Sequence, residues 1–138
     1  MAQPSTIYKP SKLNYMWNYL SSTLDNFKAK LLGYRSYKAL LTQTGSNDPT
    51  AIVLENTLNA TVVWYRQAQG IYYAESFGTW KTNKTAILVS PLLGATGAVI
   101  TKTYTTTEDQ IFFETIKTTL APMDDSLNNT FVEIRVYN

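Results

Sequence analysis

The stretch from Tyr37 to Arg66, YKALLTQTGSNDPTAIVLENTLNATVVWYR, constrains the fold of this chain more than any other part of it. It contains three short runs rich in aliphatic, threonine and aromatic residues, separated by the turn cluster Gly45–Pro49 and by a polar break after Leu54. Such runs, bounded by Gly, Pro, Asn and Asp, are typical of β-strands. The turn cluster is not tolerated inside a helix or a strand. The middle of the chain is therefore predicted to form antiparallel sheet.

The same pattern continues to the last residues, where Val132, Ile134 and Val136 alternate with charged side chains and predict one buried and one wet face. The glycine-containing corner 68–70 predicts a hairpin, and Pro91–Gly97 is interpreted as a loop. About eight short strands imply a mainly β chain, with an antiparallel β-sandwich or jelly-roll-like domain over residues 34–138. The predicted strands are Tyr34–Thr44, Ala51–Glu55, Ala60–Gln67, Gly70–Glu75, Lys84–Ser90, Gly97–Thr105, Gln110–Lys117 and Thr130–Tyr137.

Residues 1–33 are predicted to be a separate N-terminal unit, an extended tail over 1–10 followed by an amphipathic helix over Ser11–Leu32. Gly33 stands where a helix C-cap is expected. Apolar residues recur along this helix at alternating spacings of four and three, which is the spacing of a coiled-coil seam. This apolar seam consists of Leu13, Trp17, Leu20, Leu24, Phe27 and Leu31.

Two interpretations of the apolar seam stay open at this point. The helix could lie flat on the sheet of its own domain, or the seam could bind other copies of the chain or a partner. Tyr15, Met16 and Tyr19 widen the apolar surface beyond what one small sheet easily covers, which favours association. We expect a symmetric homo-oligomer, a trimer rather than a dimer, because bulky Trp17 and Phe27 suit a wider core.

Composition excludes several kinds of chemistry. The chain has no cysteine and no histidine, which removes disulfides, Cys/His zinc sites and catalysis of the Ser-His-Asp kind. A net charge of +2, with no basic cluster, gives no reason to expect a nucleic-acid partner. No run approaches the length of a membrane span, so we expect no membrane partner. We also expect no cofactor.

The carboxylates that come closest to an acid–base pair are Asp124 and Asp125, considered with Glu108, Asp109 or Glu114. Paired carboxylates hydrolyse glycosides when a cleft holds them at a defined separation, and loop oxygens can also hold calcium. Adjacent acidic residues in a loop are more often solvated turn formers. We therefore predict that the chain is not an enzyme and leave a loop calcium site near Asp124 and Asp125 open.

A cluster of aromatic residues between positions 64 and 80 is a candidate surface for sugars or protein partners. Successive strand residues face opposite sides, so one residue of each pair Trp64/Tyr65 and Tyr72/Tyr73 must point inward. The candidate ligand-facing set is Trp64, Tyr65, Tyr72, Tyr73 and Trp80, with Phe77 in the same cluster. Asn59, Asn83 and Asn128 match the glycosylation pattern but are interpreted as polar turn residues.

Several segments together resemble a family of small β-domains in virion proteins of tailed bacteriophages, including phages of Bacteroidetes and the crAss-like group. They are YKALLTQTG, the Asn-Asp-Pro-Thr turn, VLENTL, VVWYR, GIYYAE, FGTWKTNKT and DDSLNNTFVEIRVY. Similar domains occur in fibre, decoration and other capsid- or tail-associated proteins, and such fibres are commonly trimeric. The resemblance covers roughly residues 37–138 and does not extend clearly over the tail and helix.

The resemblance implies a structural role in the virion and carries over no catalytic residue. The expected function is a head-fibre or decoration module, docked on the capsid or another virion protein through its N-terminal segment. The alternative is a module that binds host-surface glycans or proteins through the aromatic residues of positions 64–80. Residues 1–33 should matter for the first function and the Trp64–Trp80 region for the second.

Overall fold

The computed structural model describes residues 10–90, 92–94, 97–105, 107–117 and 121–138. This part of the chain is mainly β, as predicted, with one helix ahead of nine strands. The predicted tail lies outside the described residues except for Pro10. The elements are α1 (Pro10–Leu32), β1 (Tyr34–Thr42), β2 (Thr50–Asn56), β3 (Val63–Ala68), β4 (Ile71–Glu75), β5 (Thr85–Val89), β6 (Leu92–Gly94), β7 (Gly97–Thr105), β8 (Gln110–Lys117) and β9 (Thr130–Tyr137).

The helix ends where the sequence predicts. Gly33 has a φ of +75°, a left-handed conformation that glycine adopts without steric cost. Its backbone N–H donates to the carbonyl of Ala29 at 2.9 Å, which satisfies one of the last free carbonyl groups of the helix. The chain turns into β1 at the next residue, so this single glycine connects the helix to the β-domain.

The strands form two antiparallel sheets. The first has the order β2-β1-β9-β5 and the second the order β3-β4-β8-β7-β6. The first and last strands, β1 and β9, are neighbours in the middle of the first sheet, with Tyr37 opposite Ile134 and Ala39 opposite Val132. The two ends of the β-domain are therefore fixed against each other.

The core lies between the two sheets. The inward residues of β1 and β9 meet those of β3, β4 and β8, and side chains from three connecting segments complete the cluster. Such alternating burial follows from the period of two along a strand, and it confirms the predicted sandwich. The buried residues are Tyr37, Ala39, Leu41, Val132, Ile134, Trp64, Tyr72, Ala74, Ile111, Phe113, Leu58, Trp80 and Leu127.

The observed strands differ from the predicted ones by one or two residues at several ends and by more in two places. Pro91–Gly97 was interpreted as a loop, but Leu92–Gly94 forms β6 and pairs with β7. A strand of three residues is too short to show an alternation of apolar and polar side chains, so the sequence pattern could not reveal it. The strand predicted at Ala60 begins only at Val63, because the Asn56 side-chain amide donates to the Ala60 carbonyl at 2.9 Å and closes a turn there.

Candidate functional site

The apolar seam of α1 is exposed along its whole length. All six of its residues are more than half exposed, from 53% at Leu20 to 76% at Leu31. The first interpretation, a helix lying flat with this seam on its own sheet, is therefore wrong. Tyr15, Met16 and Tyr19 are exposed as well.

The helix contacts its own sandwich through the opposite face. Ala29 is 5% exposed, and the Asn26 side-chain carbonyl accepts from Arg35 Nη2 at 3.4 Å and from Asn59 Nδ2 at 3.5 Å. At 100° per residue, Ala29 and Asn26 lie roughly 160° and 140° around the helix from the centre of the apolar seam. The β-domain thus holds the side of α1 that carries Ala29 and Asn26 and leaves the apolar seam outward.

One ion pair reinforces this attachment. Lys28 Nζ lies 2.6 Å from Glu55 Oε2 on β2, and Lys38 Nζ lies 3.2 Å from the other oxygen of the same carboxylate. The Ser36 hydroxyl donates to that carboxylate at 2.6 Å. These donors, Lys28 first, lower the pKa of Glu55 from its ordinary 4.5 to about 2. Lys28 flanks the apolar seam, and Glu55 offsets its charge there.

The geometry of α1 suits one kind of chemistry, which is apolar helix association. A helix with a continuous apolar stripe turned away from its own domain buries that stripe only against another molecule. The segment between Lys12 and Asp25 carries no charged side chain, so nothing in the first three turns opposes such contact. The helix is about 34 Å long at ~1.5 Å per residue, enough to extend beyond the domain that holds its C-terminal turns.

Three members of the candidate aromatic set are part of the core. Trp64, Tyr72 and Trp80 are at most 5% exposed, so they cannot face a ligand. Trp64 packs on Phe113 with ring centroids 4.9 Å apart, and its indole N–H donates to the Tyr37 hydroxyl at 3.2 Å. The outward members are Tyr65 and Tyr73, as the alternation along β3 and β4 requires.

The outer face of the second sheet carries a row of aromatic rings. Tyr65 stacks on Tyr73 with centroids 5.0 Å apart, and Tyr73 contacts Phe112 with centroids 5.5 Å apart. Phe112 is absent from the predicted set, although its place before Phe113 on β8 puts it on the outer face, where it is only 9% exposed. Because the stacked rings turn their faces to each other, this row offers a sugar few free ring faces.

The candidate carboxylates hold loops in place. Asp124 accepts from Arg66 Nη2 at 2.7 Å, from Arg66 Nε at 3.1 Å, from the Gly70 backbone N–H at 2.9 Å, and lies 3.0 Å from the Tyr72 hydroxyl. Arg66, the largest cause, lowers the pKa of Asp124. Asp125 accepts from the Gly45 N–H at 2.6 Å. The interpretation of Asp124 as a solvated turn residue is therefore wrong, since its oxygens are engaged by protein donors.

Glu108 and Asp109 belong to the segment before β8. Asp109 Oδ1 accepts from the Gly78 N–H at 2.6 Å, and Glu108 forms an exposed ion pair with Lys81 at 3.4 Å. Among the described residues there is no group of three acidic residues placed to hold a metal ion. In the same part of the chain, no helix has the length and apolarity needed to cross a membrane.

Comparison with known proteins supplies no relative for this arrangement. No protein-family model matches the chain, and neither the curated proteins nor the solved structures give a significant match.

Proposed function

We propose that this chain is a structural protein of a tailed-bacteriophage virion, a head-fibre or decoration module that assembles and docks through its N-terminal segment. The observation that carries the proposal is the outward direction of the apolar seam. A chain that fastens the polar side of a helix to its own domain, and exposes the apolar side, is built for association. The β-domain is then a rigid body displayed at one end of an assembly helix.

The assembly we propose is a closed homotrimer of parallel helices. Closed cyclic symmetry uses the same seam on every copy and avoids open-ended polymers. In the heptad pattern, Trp17, Leu24 and Leu31 alternate with Leu13, Leu20 and Phe27 as core positions. Ala29 and Asn26 then occupy outer positions, where each helix meets its own β-domain. In this arrangement the β-domains lie on the outside of the three-helix core and leave the seam free.

The proposed role requires no catalytic step. Asp124, Asp125, Glu108 and Asp109, which were considered for acid–base chemistry, accept hydrogen bonds from backbone and side-chain donors. Asp124 binds Arg66, and Asp109 binds the Gly78 N–H. Each of these contacts fixes one connecting segment to the rest of the sandwich, which suits a protein whose task is mechanical.

The test of the virion role is quantitative mass spectrometry of gradient-purified particles. A structural component is present in a fixed number of copies per particle, in a constant ratio to the major capsid protein across density fractions. A particle carrying Leu20→Glu should lose the protein, while one carrying Asn18→Glu, on the opposite face of the same turns, should retain it. Absence of the wild-type protein from intact particles would contradict the proposal that it is a structural component of the virion.

A further inference from the structure

The turn between β4 and β5 holds one phenylalanine in solvent. Phe77 is 92% exposed, yet the residues beside it are firmly fixed. The Ser76 N–H donates to the Asp109 carbonyl at 2.9 Å, the Gly78 N–H donates to Asp109 Oδ1 at 2.6 Å, and the Trp80 N–H donates to the Glu108 carbonyl at 2.8 Å. The Ser76 and Thr79 hydroxyls lie 2.9 Å apart and close the turn from inside.

A fixed turn that presents a free apolar ring is preorganised for binding, because little conformational freedom remains to be lost. Buried Trp80 anchors this turn in the core, and its indole N–H donates to the Asp109 carbonyl at 3.1 Å. Phe77 itself contributes no such anchor. Its exposure therefore has no explanation in the stability of the sandwich.

Phe77 forms one wall of an open groove of about 710 Å³, next to the base of α1. Cavities of about 300–1,000 Å³ are the usual size of small-molecule sites. The other walls combine apolar side chains with an amide, hydroxyls, cationic groups and the carboxylate of Glu108, which pairs with Lys81 at 3.4 Å. These polar groups can donate and accept hydrogen bonds around a ligand. They include Arg35, Asn59, Thr79, Lys81, Thr82 and Lys84.

The pairing of one free ring with a polar rim fits the chemistry of carbohydrates. A pyranose has an apolar face of C–H groups, which the electron-rich face of an aromatic ring attracts, and a periphery of hydroxyl groups that need hydrogen bonds. Tyr65 and Tyr73 stack on each other, whereas both faces of Phe77 are open. We propose that the Phe77 groove binds a short oligosaccharide, with Phe77 stacking on one sugar ring and the rim residues binding its hydroxyls.

The test is ligand-observed NMR and calorimetry on the full chain with four named probes: maltotriose, cellotriose, chitotriose and trigalacturonic acid. The first three are neutral and the last is acidic, so together they report whether Arg35, Lys81 and Lys84 select for carboxylates. We expect at least one probe to bind with a Kd in the range of about 0.1–10 mM, as suits a small contact. Phe77→Ala should weaken that binding by about tenfold or more, and Phe77→Trp should retain it.

Tyr65→Ala is the matched control, since it removes an aromatic ring outside the groove, and it should leave binding unchanged. Circular dichroism should show the Phe77 variants folded, because the ring touches solvent rather than the core. Failure of all four probes to bind, or equal binding by wild type and Phe77→Ala, would overturn the proposal. These outcomes are independent of assembly, which Leu20→Glu tests separately.

Discussion

The guanidinium of Arg66 donates two hydrogen bonds, at 2.7 Å and 3.1 Å, to the carboxylate of Asp124, which lies 58 residues further along the chain. The contact joins β3 to the segment that leads into β9, and Gly70 and Tyr72 complete the set of groups around the same carboxylate. It ties a strand of the second sheet to the loop that leads into the last strand of the first sheet. The described part of this segment, residues 121–129, is held here.

Loss of this carboxylate charge should destabilise the fold. Asp124→Asn removes charge-assisted bonds and leaves the Arg66 guanidinium poorly paired, which we expect to cost about 1.5–3 kcal/mol of unfolding free energy. Asp125→Asn is the control: asparagine tolerates the left-handed φ of 58° at that position and still accepts from the Gly45 N–H. Urea unfolding measures the stability of both variants. Equal losses of unfolding free energy would show that the contact between Asp124 and Arg66 stabilises the fold no more than the contact of Asp125 does.

The attachment of α1 should weaken in acid. The pKa of Glu55 falls from 4.5 to about 2 on folding, chiefly through Lys28 and Ser36, so its contribution is complete above about pH 4.5 and is lost as the pH falls towards 2. We expect Glu55→Gln to melt below wild type at pH 7 and to approach it at pH 2.5. A difference in melting temperature that stays constant with pH would contradict the predicted role of the ionised Glu55.

Trp64 should be the aromatic residue that anchors the core. Trp64→Ala removes a side chain that is 5% exposed and packs on Phe113, and such truncations cost about 3–5 kcal/mol. Tyr65→Ala, the neighbour on the outer face, should cost clearly less. Thermal unfolding of the two single variants makes the comparison, and equal losses would contradict the inward direction of Trp64.

Gly70 should be much less replaceable than Gly78. Both have left-handed φ, +66° and +59°, which costs an L-residue about 1–2 kcal/mol. A Cβ at Gly70 would also lie 2.6 Å from the backbone N of Met123 and the carbonyl O of Thr115, whereas a Cβ at Gly78 meets nothing within 4 Å. Gly70→Ala should therefore unfold at distinctly lower denaturant than Gly78→Ala. Similar denaturant midpoints for the two variants would mean that the backbone around Met123 shifts at little cost to accommodate the added methyl group.

The local pattern predicted most of the fold. The predicted limits of β7, β8 and β9 match the structure, and Gly33 caps the helix because a single residue type decides that position. The alternation along β3 and β4 likewise predicted one inward residue in each aromatic pair. These features depend on neighbours within a few residues, which the sequence displays directly.

The features that the sequence did not reveal depend on distant contacts. Asp124 looked like a solvated turn residue because its partner Arg66 is far away in the chain and only the packed sheets bring them together. Trp80 follows a turn with no alternation, so its burial against the Asp109 carbonyl was not predictable. The direction of the apolar seam depends on where the β-domain holds Ala29 and Asn26, which no periodicity specifies.

The oligomeric state in solution tests the central claim most directly. Light scattering coupled to size-exclusion chromatography should give three times the monomer mass for wild type and for Asn18→Glu, and the monomer mass for Leu20→Glu. Both substitutions add one negative charge to the same turns of α1, so only the face differs. A wild-type monomer, or a Leu20→Glu protein with the same mass as wild type, would contradict assembly through the apolar seam.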